Sequence, residues 1–291
     1  MREVILPGSV DELWQCFESH PLANVYAGGT GLLVDLYNGQ VNPEALICLE
    51  RIEELKGVAE RGENIRIGSC ATLACLLEDP LVQNHLPVLG QAVKKLGSPL
   101  IRNMGTIGGN VCTASPAGDT LPPLYALKAE VELRSKGGLR KMQIGDFILG
   151  PGATRLQPGE ILAAVWVKKP EEYNLHHFEK VGLRNALACS VVSLAALLRV
   201  APGGMVEKAA LAWGSVGPTV VTCREAEKAL IGGTLSIARL HEAAALVQKA
   251  VTPISDVRAD ADYRRTVAGN LLLRLAIAPH YPCTLGGVSD A

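Results

Sequence analysis

The stretch "GTIGGNVCTASPAGDTLP", Gly105 to Pro122, follows neither a helical nor a strand period. Glycine loses more backbone freedom on ordering than any other residue, yet the run holds Gly105, Gly108, Gly109 and Gly118. What it packs against or binds must offset that cost. A second glycine turn, Gly28-Gly29-Thr30-Gly31, lies upstream, entered from an apolar strand expected over Asn24 to Ala27 and followed by Leu32, Leu33, Leu36 and Tyr37. Strand, glycine turn and apolar element in that order make an anion-binding turn: main-chain N–H groups converge with no Cβ in the way, and a hydroxyl such as Thr30 or Thr106 adds a donor.

A diphosphate is the natural guest of such turns, and an ordinary tight turn is the alternative for either one alone. The common nucleotide fingerprints are missing. "GGTGLL" lacks the third glycine of G-x-G-x-x-G, and no G-x-x-x-x-G-K-[ST] occurs. The polar tail of the second run favours a ligand. Ser115 and Asp119 follow the glycines closely, and an aspartate beside a phosphate site is costly unless it faces neutral hydroxyls such as those of a ribose or ribityl chain.

At 291 residues and 48% hydrophobic, the chain can bury a full core and divide into two domains, which implies a soluble globular protein. Its 28 Lys+Arg against 29 Asp+Glu leave no basic field to hold nucleic acid or an anionic membrane. The longest apolar run, Ser190 to Val200, falls short of the roughly 18 to 20 residues of a membrane span and reads as a buried strand. Eight scattered cysteines without a C-x-x-C pair or a signal peptide point to reduced thiols in a cytoplasm, and not to a metal or iron-sulfur site within this chain.

Ser9 and Glu12 form a capping box that predicts a helix ending near His20-Pro21. Strands are expected at Ala45 to Leu49 and Asn64 to Gly68, helices at Leu73 to Glu78 and Pro87 to Leu96, and a hairpin pairs Glu130 to Arg134 with Arg140 to Gln143. Breaks at Gly150 to Pro158 and Lys169 to Glu172 put a domain boundary near residue 170. Three antiparallel strands follow, His177 to Val181, Ser190 to Val200 and Val206 to Trp213, and then three helices, Arg224 to Leu230, Ser236 to Val247 and Tyr263 to Ile277. The second half reads as an α+β layer ending in a loose tail, Pro282 to Ala291. His176 and His177 are adjacent and cannot share one strand side, so a satisfied or solvated role fits them better than catalysis.

Three stretches resemble one family, the FAD-binding medium subunits of the molybdenum hydroxylases (the xanthine dehydrogenase and carbon monoxide dehydrogenase group). "AGGTGLLV", Ala27 to Val34, is similar to the family's AGGTDLL. "IRNMGTIGGNVCTASPAGD", Ile101 to Asp119, is similar to IRN-x-x-TIGGN-x-x-x-ASPA-x-D, and "SDVRADADYRR", Ser255 to Arg265, resembles the run that opens the last C-terminal helix. The resemblance implies an α+β fold: a two-subdomain FAD-binding domain of the p-cresol methylhydroxylase type over 1–170 (subdomains about 1–55 and 56–170), a smaller α+β domain over 171–279, and a tail over 280–291.

The resemblance also implies the site. Ala27, Gly28, Gly29, Thr30, Gly31, Leu32 and Leu33 would cradle the FAD diphosphate, with Ile101, Thr106, Gly109 and Asn110 on the other side. Ser115 and Ala117 would line the cofactor and Asp119 would take a sugar or ribityl hydroxyl. Ile161 and Leu162 would lie near the adenine, or be ordinary core; Lys180 would lie near the isoalloxazine, or be a solvated strand-end lysine. Two positions depart from the family: Gly31 replaces its usual aspartate, and Ala188 stands where many members are acidic. The inserted cysteine-bearing loop of the benzoyl-CoA reductase branch is absent.

By the same resemblance the chain would be a cytoplasmic electron-transfer subunit of an oxidoreductase heterotrimer. A molybdopterin-binding large subunit hydroxylates the substrate, a small subunit with two [2Fe-2S] clusters carries electrons, and the flavin subunit passes them to NAD or another acceptor, with no catalytic residue of its own. A self-contained flavin oxidoreductase of the same fold and a non-catalytic assembly subunit are the alternatives.

Overall fold

The computed structural model describes residues 2–170 and 172–277; the expected tail over 280–291 and Cys283 lie outside the described residues. The first half holds two main sheets and a two-stranded ribbon, Ile148–Gly150 with Ala153–Thr154, and strand Ile161–Lys168 of the larger sheet sends residues into the cores on both of its sides. A three-stranded parallel sheet has Ala45–Cys48 between Glu3–Ile5 and Asn24–Tyr26. Helix Val10–Ser19 covers it through Leu13, and the capping box is half formed: Ser9 Oγ accepts from Glu12 N at 3.2 Å, but Glu12 Oε2 accepts from Gly8 N at 2.8 Å, one residue ahead of the cap. Leu13, Ile47, Ile52 and Leu55 are fully buried there, each contributing about 1.5–3 kcal/mol of burial.

The second sheet is antiparallel, with strands in the order Val58–Arg61, Asn64–Gly68, Ile161–Lys168, Glu130–Ser135, Gly138–Gln143. Its central strand follows the stretch read from sequence as a break. "ILAAVWVK" shows no alternation because both of its faces are covered. Ile161 and Ala163 enter the N-terminal core, while Leu162, Val165 and Val167 enter the larger one, with a bulge between Leu162 and Ala164 shifting the register.

The third sheet is a meander of Leu175–Val181, Val192–Val200, Val206–Gly214 and Val221–Thr222. Here the period of two is kept: Ala195, Leu197, Ala210 and Ala212 face the core of the first half, whereas Leu194, Ala196, Leu198, Leu211 and Trp213 face helices Arg224–Leu230, Ile237–Ala250 and Ala261–Leu273. Trp213 Nε1 donates to Ala268 O at 3.0 Å, tying the sheet to the last of these helices. That helix starts at Ala261 and not at Tyr263, because Asp260 caps it by accepting from Tyr263 N at 2.7 Å, and its end tightens into a 3₁₀ turn, Arg274–Ile277.

The glycine run is more regular than its sequence suggests. Helices Pro99–Met104 and Ile107–Thr113 flank Gly105, the first capped by Ser98 and the second by Thr106, whose Oγ1 accepts from Gly109 N at 3.1 Å. Helices of about two turns are too short to display an amphipathic period, and only packing stabilises them.

Candidate cofactor site

Gly28 lies against the main chain that leads into the second glycine run. A Cβ there would sit 1.6 Å from Met104 O and 3.1 Å from Gly105 N, so only glycine permits the approach. Thr30 Oγ1 lies 3.5 Å from where a Cβ on Gly105 would be. The two turns, far apart in sequence, form one contact.

The second run is held rigidly from the other side. Leu73 N donates to Gly105 O at 2.8 Å, Ile107 N to Ala71 O at 3.1 Å and Gly108 N to Ser69 O at 2.9 Å. Gly108 also lacks space for a side chain, since a Cβ would fall 2.5 Å from that of Ser69. The segment Ser69 to Leu73 thus positions the motif, and nothing local in the sequence announces it.

The first turn is the opposite case. Leu33 N donates to Gly29 O at 2.9 Å and Val34 N to Gly31 O at 2.9 Å, so two carbonyls of the turn are used, but the N–H groups of Gly28, Gly29, Thr30 and Gly31 donate to no acceptor among the described residues. Four successive unpaired donors in a half-buried turn make an anion nest. Ala27, next to them, lines two cavities that also share Cys70. One, about 730 Å³, is lined by Gly28, Thr72, Asn103 and Thr106; the other, about 320 Å³, by Tyr26, Gly108, Gly109, Ile161 and Leu162. A nest of N–H donors with an apolar cleft beside it fits a dinucleotide: the diphosphate on the donors, a base in the cleft. Another cavity, about 690 Å³ and lined by Lys128, Trp166 and Tyr173, contains no residue of either motif. Its Lys168 and Lys169 are already paired with Glu63 and Glu60.

Leu32 opens the helix Leu32–Tyr37, for which Gly31 is the N-cap position with no side-chain cap, and nothing lies within 4 Å of a Cβ at Gly31. Leu33 and Ile101 are exposed. Of the polar tail, Asn110 Oδ1 accepts from Thr120 Oγ1 at 2.6 Å and Ser115 Oγ accepts from Ala117 N at 3.3 Å.

Asp119 and Lys180 are brought together. Lys180 Nζ lies 2.5 Å from Asp119 Oδ2, both side chains being 7% exposed, and Ser190 Oγ donates to Asp119 Oδ1 at 2.6 Å. Lys180 is therefore not a solvated strand-end lysine. Burial pushes the Asp119 carboxyl above the usual range, against the opposing pull of the Lys180 ammonium and the Ser190 hydroxyl. A carboxylate has about four lone-pair sites, so these two bonds leave Asp119 able to accept from a ligand hydroxyl. Neither Asp119 nor Lys180 lines the two cavities at the glycine contact. Lys180 lines a separate cleft of about 340 Å³ with Lys95, Arg184 and Ala188. Sequence reasoning missed Ser69, Cys70, Thr72 and Ser190, since each reaches the site through a contact distant in sequence, and it gave no role to Asn103, which lies within the second motif.

Among the described residues, no group of three or more His, Cys, Asp or Glu could hold a metal ion, and no helix is long and apolar enough to cross a membrane.

Residues 1–169 match the family of the FAD binding domain in molybdopterin dehydrogenase, and residues 177–278 match the CO dehydrogenase flavoprotein C-terminal domain. The chain is 34% identical over 249 residues to the xanthine dehydrogenase FAD-binding subunit of Escherichia coli O157:H7, covering 84% of each protein. It is 31% identical over 252 residues to the carbon monoxide dehydrogenase medium chain of Afipia carboxidovorans, covering 87% of each. Among solved structures, it superposes on a chain of carbon monoxide dehydrogenase from Hydrogenophaga pseudoflava with a TM-score of 0.89 at 30% identity, covering 94% of this chain and 95% of that one. On a chain of quinoline 2-oxidoreductase from Pseudomonas putida the TM-score is 0.90 at 26% identity, with 95% and 96% covered.

Proposed function

The chain belongs to the FAD-binding subunits of the xanthine dehydrogenase and carbon monoxide dehydrogenase type of molybdenum hydroxylase, and from that premise we propose that it is the electron-collecting subunit of such a complex. It is an oxidoreductase component and its cofactor is FAD. The proposed partners are a molybdopterin-binding large subunit and a [2Fe-2S] small subunit in a heterotrimer within the cytoplasm, with NAD or another carrier as the outlet for electrons. Bound FAD supplies chemistry that accepts electrons singly or in pairs and releases a hydride.

One observation carries the assignment of the site: Gly28 against Met104 and Gly105, beside four unpaired N–H groups. In this reading Ala27 to Gly31 hold the diphosphate, with Leu32 and Leu33 behind them and Ile101, Thr106, Gly109 and Asn110 opposite. Ile161 and Leu162 take the adenine; Ser115, Ala117, Asp119 and Lys180 take the ribityl and isoalloxazine end. The FAD domain spans 1–170 (subdomains about 1–55 and 56–170) and the C-terminal domain 171–279, a division supported by the matched ranges 1–169 and 177–278.

The test is a visible spectrum of the purified chain with identification of the nucleotide released by heat. Bands near roughly 370 and 450 nm and about one FAD per chain are expected. A colourless chain that takes up no added FAD would defeat the reading. Co-purification of molybdenum and iron tests the partners, and the reoxidation rate with NAD against oxygen tests the outlet.

A further inference from the structure

The turn Pro116 to Asp119 is gripped at both ends from the second half of the chain. Ser215 N donates to Pro116 O at 2.8 Å, and Ser190 Oγ donates to Asp119 Oδ1 at 2.6 Å. The two serines are joined to each other, since Ser215 Oγ donates to Ser190 O at 3.0 Å. Ser215 adopts φ +64°, a left-handed conformation that is unfavourable for a residue with a side chain and that persists only where surrounding contacts enforce it.

Those contacts converge on Arg264. Its Nη1 donates to Val191 O at 2.7 Å and to Ser215 O at 3.2 Å, and its Nη2 to Asp256 Oδ1 at 2.7 Å. The side chain is 3% exposed, and its Nε has no hydrogen-bond partner among the described residues. Burying a guanidinium is expensive when one of its donors goes unused. A simple ion pair with Asp256 would not require burial, because Asp256 is itself 24% exposed. What burial achieves is reach: Nη1 bridges the ends of two strands, at residues 191 and 215, while Nη2 holds Asp256.

We propose that Arg264 is a positioning residue for the flavin site: by clamping the main chain at Val191 and Ser215 it fixes Ser190 and Ser215, which in turn hold Asp119 and Pro116. This rests on the flavin reading above and adds to it a role for the C-terminal run "SDVRADADYRR", which touches neither glycine motif. The C-terminal domain thereby sets the geometry of a motif that belongs to the FAD domain. Arg264 touches no cofactor, and its influence passes through two serines.

The test uses the full chain with added FAD and a double-mutant cycle of Arg264→Lys and Ser190→Ala. Lysine keeps the charge but has one nitrogen, which cannot reach both carbonyls and Asp256 together as Nη1 and Nη2 do. Each single variant should bind FAD about tenfold more weakly, the effect of one lost charge-assisted hydrogen bond, and should alter the visible circular dichroism of the bound flavin. The double variant should be no weaker than the worse single one, because the residues act in series. Losses that multiply to about a hundredfold would overturn the proposal, and so would Ser190→Ala binding FAD as the wild type does. Ser190→Ala removes only a hydroxyl, so it decides the matter should Arg264→Lys not fold. A wild-type chain that takes up no FAD would defeat the flavin reading itself, a result distinct from either of these.

Discussion

The two glycine motifs solve opposite problems with the same residue. In Gly28 to Gly31 the N–H donors go unpaired among the described residues, whereas in Gly105 to Asp119 the carbonyls of Gly105 and Pro116, the N–H groups of Ile107 and Gly108 and the Asp119 carboxylate are engaged by Leu73, Ser215, Ala71, Ser69, Lys180 and Ser190. In the proposed reading the first motif is the receptor for the diphosphate. The second is a scaffold, in which glycine serves close packing. Mutations in the second should therefore appear first as lost stability, and mutations in the first as lost binding.

The most severe break should come from Asp119→Asn, which leaves the Lys180 ammonium buried without its counter-charge. Removing one partner of a buried pair costs about 3–5 kcal/mol, so urea unfolding of the apo chain should shift markedly, before any flavin is added. An unchanged midpoint would mean that the second motif is not the scaffold described. Gly28→Ala comes next. Its Cβ would overlap Met104 O, and overpacking of this kind costs about 1–3 kcal/mol, but the turn is exposed enough to yield. Prying the motifs apart should weaken FAD binding by about a hundredfold, measured by flavin fluorescence.

A smaller effect, confined to the scaffold side, should come from pH. Burial lowers the pKa of both His176 and His177 on the strand that carries Lys180, with Glu179 opposing the shift at His177 and Lys95 and Arg274 adding to it. A depressed folded-state pKa means that the native state holds fewer protons. The stability it contributes is present above the unfolded value, about 6.5, and is lost as pH falls through the lower folded values. The melting temperature should drop by about 2–4 °C between neutral pH and pH 5, and His177→Gln should flatten that slope. A slope unchanged in the variant would remove His177 from the account. Least of all, Gly31→Ala should change stability by no more than about 0.5 kcal/mol, as its backbone is at φ −95° and the space around it is open. A large loss there would show that Gly31 is constrained in a way the first motif does not reveal.

Much of the architecture was legible because each half-exposed element keeps its period and each turn its chemistry. The helix after Ser9, the hairpin around Gly137 and the three strands and three helices of the second half all announced themselves. The central strand Ile161–Lys168 did not, because covering both faces erases alternation, and the two short helices around Gly105 did not, because so few turns carry no period. At the candidate site, the glycine turns and the Asp119 tail stood out from residue chemistry alone. That Asp119 would be paired with Lys180 could not be read.

The sequence by itself determined which segments bring together glycine, a capping hydroxyl and a polar tail, since these are properties of neighbouring residues. Only the tertiary structure decided which of these segments meet, which donors stay unpaired, and that Arg264 reaches toward Asp119 through Ser190 and Ser215. Those outcomes depend on hydrogen bonds between groups far apart in sequence, such as Arg264 to Val191 and Ser215 to Pro116, and their partners are chosen by how sheets and helices pack.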